Sequence, residues 1–444
     1  MKDKIMNTLL VVAGKLQQQK HMSAVKNAFS TLLPIIIAGA FCTLAINVVC
    51  STTTTGLSIA KIPGMAWLSN LSPMFETANY ATMNFFTIAL VVLISIELGN
   101  SNGRKGDYVL PITIVAAYVS LCITTVTATA ESGEVLTIAN VLPSKFTNAQ
   151  GLFLAMITSL VMTEVYCWIV NSGKLEVKMP DSVPPNVAKP FNVMFPSIIT
   201  ILITSAFGMV FEMVFNMPLF DAVAKVIQAP LQGILTGLPG YVILFMCTTI
   251  LWVFGIHGTQ VLKPIYEPIL LATLAENMEN VLAGQPAEHI LNNSFVSVFN
   301  IGTGAGMTGG LIAAIFLFSK REDYRAIAKL SLVPALFNIN ETMTFGLPIV
   351  LNPIFALPFI LAPATSAIIG YFMTKIGFAT VMAYAVPWTT PPLIKSFLAT
   401  GGHLGTVATE ALCIFVAFLI YIPFVIAANK QSAQPEVVTD TASE

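Results

Sequence analysis

The sequence predicts an all-α polytopic membrane protein, and three observations carry that reading. Of the 444 residues, 55% are apolar and only 10% charged, with a mean hydropathy of +0.80, whereas an average soluble domain is roughly 25% charged. Apolar runs of about 20 residues, the length a membrane helix needs, recur along the chain. Lysine and arginine gather in alternate connectors, as they do on the cytoplasmic side of membrane proteins. A formal net charge of −1 makes the lipid bilayer the partner and speaks against nucleic acid or an acidic polymer.

Taken in order, an arm with Lys2, Lys4, Lys15, Lys20 and Lys26 leads into the run 29–50. No short apolar stretch with a cleavage site precedes it, so it reads as an uncleaved first span. Four further runs follow at 81–99, 108–126, 151–170 and 192–215. The connectors between them alternate. Arg104 and Lys105 mark one, and Lys174, Lys178 and Lys189 another, while 51–80 and 127–150 hold only Lys61 and Lys145. That alternation places the N-terminus inside and residue 215 near the outer face. Segment 217–231 mixes Asp221, Lys225 and Gln228 with apolar residues, as an interfacial amphipathic helix does.

Clear runs resume at 240–256, 347–373 and 406–428. The weaker segments 259–274, 300–319, 328–345 and 378–399 are short or interrupted by Gly, Pro and Asn. Irregular backbone at membrane depth survives only beside protein or a wet cavity, so these predict broken helices or re-entrant hairpins along a substrate path. Lys320, Arg321, Arg325, Lys329 and Lys430 put the C-terminus inside as well. The expected organisation is a scaffold over 1–215, an amphipathic connector over 216–236, a transport domain over 237–430 and a short polar disordered tail over 431–444.

An ionisable residue within a membrane segment is costly and by default marks function. His257 ends an apolar run between Gly255 and Gly258, and Glu341 follows Asn338 and Asn340. The plain structural alternative makes His257 a helix-end residue bonded to a carbonyl, and Glu341 half of an ion pair. Both lie on broken segments of the same half, which favours a site. A neutral sugar is held by groups that accept and donate hydrogen bonds, as carboxylate, imidazole and amide do, and by aromatic faces. Trp252 and Trp388 adjoin these motifs, while Trp67 and Trp168 read as interfacial. Pro387-Trp-Thr-Thr-Pro-Pro392 excludes a regular helix and leaves Thr389 and Thr390 to line a cavity or a rigid loop.

Other features read as structural. Gly302, Gly306 and Gly310 lack the Gly-Lys-Ser/Thr of a phosphate loop and point to close helix packing. Glu97, Glu164, Glu212 and Glu410 fall near helix ends, facing the surface or a subunit interface, and Lys263 and Glu267 are spaced to pair. The six cysteines stand singly, without metal-binding spacing, as small core residues. No metal or cofactor is expected.

GIHGTQVLKPI over 255–265, FNINETMTFGLPIVLNPIFALPFILAP over 337–363 and VPWTTPP over 386–392 resemble the signature segments of the lactose/cellobiose/chitobiose family of phosphotransferase-system permeases, the enzyme IIC components. The resemblance covers nearly the whole chain, with one departure: Thr342 stands where the family has proline after the motif glutamate. It implies the glucose-superfamily enzyme IIC architecture, with about ten transmembrane helices, each about 20 residues long, plus two re-entrant hairpins. It also implies a homodimer joined through the first five helices, in the inner (plasma) membrane of a bacterium. His257 and Glu341 would hold a β-linked disaccharide (cellobiose, diacetylchitobiose or lactose), with the glutamate near the C6 hydroxyl and with Trp252, Trp388, Asn338, Asn340 and Thr389 around it. Phosphate would come from a phosphocysteine on a separate enzyme IIB component, itself served by enzyme IIA, so this chain would be a non-catalytic translocation subunit. Two other readings of the same residues stand beside this one: an ion-coupled secondary sugar transporter, and an intramembrane enzyme acting on a lipid-linked sugar.

Overall fold

The computed structural model describes residues 19–53, 58–129, 135–177, 180, 184–347, 349 and 352–431. It is helical almost throughout, and seven helices among the described residues are long and apolar enough to cross a membrane. An eighth is reached if the bent pair Leu219–Thr236 and Leu238–Val253 counts as one span. The chain divides into two compact units, one comprising residues 1–235 with 263–287 and the other 236–262 with 288–444.

In the first unit, α1 (Lys20–Leu44), α2 (Ser72–Met83), α3 (Phe86–Ser101), α4 (Val109–Val119), α5 (Leu152–Asn171) and α6 (Met194–Phe215) are helices of largely apolar composition. Helix α3 lies at the centre against α1, α4 and α5, burying Leu90, Val91, Ile94 and Leu98 completely. Gly99 permits the close approach of α4, because a Cβ there would overlap Leu110. Polar groups in this unit pair between neighbouring elements: Asn79 Nδ2 donates to the Gly39 carbonyl at 2.9 Å and to Thr43 Oγ1 at 2.7 Å. Tyr118 donates its hydroxyl to the Phe146 carbonyl at 2.5 Å. Glu164 pairs with Lys20 at 2.7 Å, and Glu97 accepts from Asn27 Nδ2 at 3.0 Å. Most of α6 faces outward, with only Pro196, Thr200 and Thr204 buried, and Glu212 is exposed.

The expected span 108–126 is realised as the shorter helix α4, after which the chain enters an antiparallel hairpin of β1 (Thr125–Thr129) and β2 (Val135–Ala139), Thr125 opposite Ala139. The reason is local: residues 124–127 are all β-branched, and such side chains prefer extended backbone to helix. Downstream, α7 (Leu219–Thr236) covers the expected amphipathic segment and stops at the extended residue Gly237. Helix α8 (Leu238–Val253) begins there, and α9 (Gly258–Leu282) carries the expected Lys263–Glu267 pair, 3.2 Å apart.

The second unit is built on broken helices. A π-helical turn (Val296–Asn300) runs into a glycine loop with positive φ at Gly304 and Gly306, and α10 (Thr308–Phe318) resumes beyond it. Next come α11 (Glu322–Leu336), the short α12 (Glu341–Gly346), α13 (Pro353–Lys375), the short α14 (Ile394–Ala399) and α15 (Leu404–Gln431). Helices α10 and α13 pack on α15, and α8 on α13. Gly310 allows the first contact, lying against Ala417 and Phe418 as close helix packing requires. Gly302 and Gly306 serve differently: both are loop residues, and a Cβ at Gly306 would strike the Phe359 ring. The Gly306 carbonyl accepts from the Tyr421 hydroxyl at 2.7 Å. Trp67 and Trp168 are both exposed, and five of the six cysteines are buried.

Candidate functional site

Helix α8 ends at Val253, and Gly255 turns the chain with φ +79, a conformation glycine adopts without strain. That turn presents His257 beside the end of its own helix. The backbone N–H of Gln260 points at Nδ1 from 3.3 Å, and the Thr259 hydroxyl lies 3.0 Å from the same nitrogen. A backbone N–H can only donate, so Nδ1 acts as the acceptor and the neutral ring carries its proton on Nε2. Trp252 completes a relay, its Nε1–H donating to Thr259 Oγ1 at 3.4 Å while its ring lies 4.2 Å, centroid to centroid, from the imidazole.

Opposite Nε2 stands Glu341, the first residue of α12, with Oε1 3.8 Å away. That separation exceeds a hydrogen bond. Nε2–H is a donor and the carboxylate an acceptor, so one hydroxyl group can accept from the first and donate to the second. The carboxylate is about half exposed, 49% at the side chain, and is therefore reachable. Thr342, the departure from the family pattern, is exposed in the first turn of α12.

The two asparagines preceding Glu341 are buried and bind protein. Asn338, in the left-handed region at φ +63, donates Nδ2 to the carbonyls of Trp388 at 2.6 Å and Thr390 at 3.0 Å. Asn340 donates Nδ2 to the Ala305 carbonyl at 3.3 Å and to Thr344 Oγ1 at 2.8 Å, and its Cβ lies 2.6 Å from where a Cβ on Gly304 would be. Glu341 is thus tied through Asn340 to the glycine loop and through Asn338 to the proline loop that carries Trp388 and Thr389. Trp388 is 48% exposed, whereas Trp252 is 1% exposed with His257 and Phe345 as its ring neighbours.

His257, Glu341 and Trp252 are therefore gathered at one place, while Trp388 and Thr389 are linked to it through Asn338. Thr259 and Phe345 belong to the cluster without having been singled out. The signal for Thr259 was its place two residues after a histidine, within bonding reach of the ring. The expectation that Glu410 faces the surface or an interface is corrected: it is wholly buried within the second unit, bonded to the backbone of Leu393 at 2.8 Å.

Residues 26–363 match the family model described as phosphotransferase system, EIIC. The chain is similar to the oligo-beta-mannoside-specific EIIC component of Bacillus subtilis, 30% identical over 100% of this chain and 98% of that one. It is 29% identical to the cellobiose-specific EIIC component of Lactococcus lactis, over 95% of this chain and 96% of the relative. Among solved structures it is similar to the transporter ChbC, the IIC component from an N,N'-diacetylchitobiose-specific phosphotransferase system. The TM-score there is 0.87 at 29% identity, covering 95% of this chain and 96% of the other.

Proposed function

Since this chain belongs to the phosphotransferase system EIIC family, we propose that it is the sugar-translocating channel subunit of a phosphoenolpyruvate-dependent phosphotransferase system. Its cargo is a β-linked disaccharide of the cellobiose, diacetylchitobiose or lactose kind, carried inward for phosphorylation at the inner face. The observation that carries the assignment of the site is the donor and acceptor pair of His257 Nε2–H and Glu341, set 3.8 Å apart and spaced for a sugar hydroxyl. Glu341 takes the C6 hydroxyl, and the exposed ring of Trp388 offers a face to the second sugar. Trp252 acts on the sugar through His257, whose ring it supports. Asn338 and Asn340 hold the loops, and Thr389 lines the cavity.

The phosphoryl group comes from the cysteine of a separate B component, recharged by an A component. The assembly is a homodimer joined through the five spans between 29 and 215, the last of which is α6, whose outward apolar surface supports that role, with both chain ends in the cytoplasm, as the lysine and arginine pattern supports. Residues 237–430, apart from the stretch 263–287 that belongs to the first unit, move as the transport domain, bearing the sugar.

Uptake tests the function. Right-side-out vesicles loaded with phosphoenolpyruvate and the soluble partner proteins should accumulate cellobiose as its phosphate. Accumulation of unmodified sugar driven by an ion gradient alone would overturn the reading. For the movement, spin labels on α5 and α13 should report a change in their distance distribution when sugar binds, and an unchanged distribution sinks the moving domain.

A further inference from the structure

The backbone around Glu341 is held by two loops, and both are held a second time by charged side chains that the sugar site does not use. Lys395 and Glu410 are each 0% exposed. Lys395 donates from Nζ to the Ser297 carbonyl at 2.9 Å, on the π-helical turn that runs into the glycine loop. Glu410 Oε2 accepts the backbone N–H of Leu393 at 2.8 Å, where the proline loop ends. The other oxygen of Glu410 faces the start of the glycine loop, 3.6 Å from where a Cβ on Gly302 would stand. Leu393 has φ +68 and ψ −44, a conformation that side-chain-bearing residues rarely adopt unless their surroundings impose it.

Helix capping alone does not account for this arrangement. A carboxylate at the start of α14 explains the bond to Leu393, but neither the approach to Gly302 nor the lysine reaching Ser297. Buried charges are expensive, and apolar residues of similar volume often give a more stable protein. Two of them here, one bonded to the π-helical turn that leads into the glycine loop and the other to the end of the proline loop, point to a requirement for position.

We propose that Lys395 and Glu410 are positioning residues for the sugar site. They form a tier of contacts, separate from Asn338 and Asn340, that fixes the glycine loop and the proline loop to a common base and so sets where Glu341 and Trp388 stand. The inference rests on the reading of His257 and Glu341 as the sugar site.

The test uses full-length protein in nanodiscs, with Glu410→Leu, Glu410→Gln and Lys395→Met, read by hydrogen exchange without sugar and by equilibrium binding of cellobiose. Glu410→Leu and Lys395→Met should each speed exchange in both 300–306 and 387–393 while leaving α1 and α13 at wild-type rates, and should weaken cellobiose at least tenfold. Glu410→Gln keeps an oxygen for the Leu393 N–H and should fall between wild type and Glu410→Leu. If Glu410→Leu does not fold, the milder pair carries the same comparison. Wild-type exchange and affinity in Lys395→Met and Glu410→Gln overturn the proposal, as does faster exchange spread evenly over the second unit. Because exchange is read without sugar, a wild-type protein that ignores cellobiose while the two loops respond as expected sinks only the sugar reading.

Discussion

In the first unit the helices stay continuous, and polar side chains either return hydrogen bonds to their own helix, as Thr43 does to Gly39 and Ser159 to Ala155, or pair one intact element with another, as Asn79 does with Thr43. In the second unit they reach across breaks. Asn338 bonds to residues 50 and 52 positions away, and Lys395 to one 98 positions away. Both units bury apolar cores of similar chemistry, so the contrast is one of backbone: regular helices need little from their side chains, whereas interrupted ones leave peptide groups that side chains must satisfy. Those interruptions bring His257 and Glu341 to one place. The second unit trades helical continuity for a binding surface.

Four substitutions probe that contrast, the largest expected effect first. Trp252→Ala empties a buried site in the second unit and should cost about 3–5 kcal/mol of stability. It should also abolish measurable sugar binding, because His257 loses its support, as thermal unfolding and labelled-cellobiose binding on the same sample would show. A variant that melts early yet binds normally would separate the packing from the site. Glu341→Gln keeps the shape but removes the charge. A hydrogen bond to a charged group contributes about 1.5–3 kcal/mol, so affinity should fall at least tenfold, with the melting temperature unchanged because the side chain is half exposed. Unchanged affinity in folded protein removes Glu341 from the site.

Tyr118→Phe should act in the opposite sense in the first unit. It strands the Phe146 carbonyl, at a cost of about 1–3 kcal/mol in stability, while cellobiose affinity stays at the wild-type value. A loss of affinity would show that the scaffold is not passive. Smallest is Trp388→Ala, which should weaken cellobiose more than glucose by about 0.5–1.5 kcal/mol, the contribution of an aromatic face. Equal loss for both sugars refutes the stacking role.

Much of this was legible in the sequence, for identifiable reasons. Long apolar runs such as 29–50 cannot be satisfied in water, and they appear as membrane-length helices. His257 and Glu341 stood out because charge or imidazole within an apolar segment is rare. The limits were equally physical. Hydropathy does not separate helix from strand, so the β-branched residues 124–126 were counted into a span. Residue type announced that Asn338 and Asn340 would bond, but not that their amides would turn to backbone carbonyls, which depends on loops 35 to 52 positions away. Glu410 resembled a helix-end surface charge because Leu393 and Gly302, which surround it, are remote in sequence. The return of residues 263–287 to the first unit has no local signature at all.

The buried charges also bear on how the protein is made. Synthesis runs from the N-terminus, so Lys395 leaves the ribosome before Glu410 and the rest of α15, the helix on which both α10 and α13 pack. An uncompensated lysine in an apolar medium costs about 2.5–3.5 kcal/mol even on the mildest insertion scale. Helix α14 packs on α15, so until α15 arrives Lys395 can reach the Ser297 carbonyl but lacks the helix that helps to bury it. The transport unit is therefore completed only once α15 is made, when that helix brings Glu410 to the backbone of Leu393. A nascent chain cut before residue 404 would display that lysine as a mark of unfinished assembly, open to whatever quality control surveys the membrane.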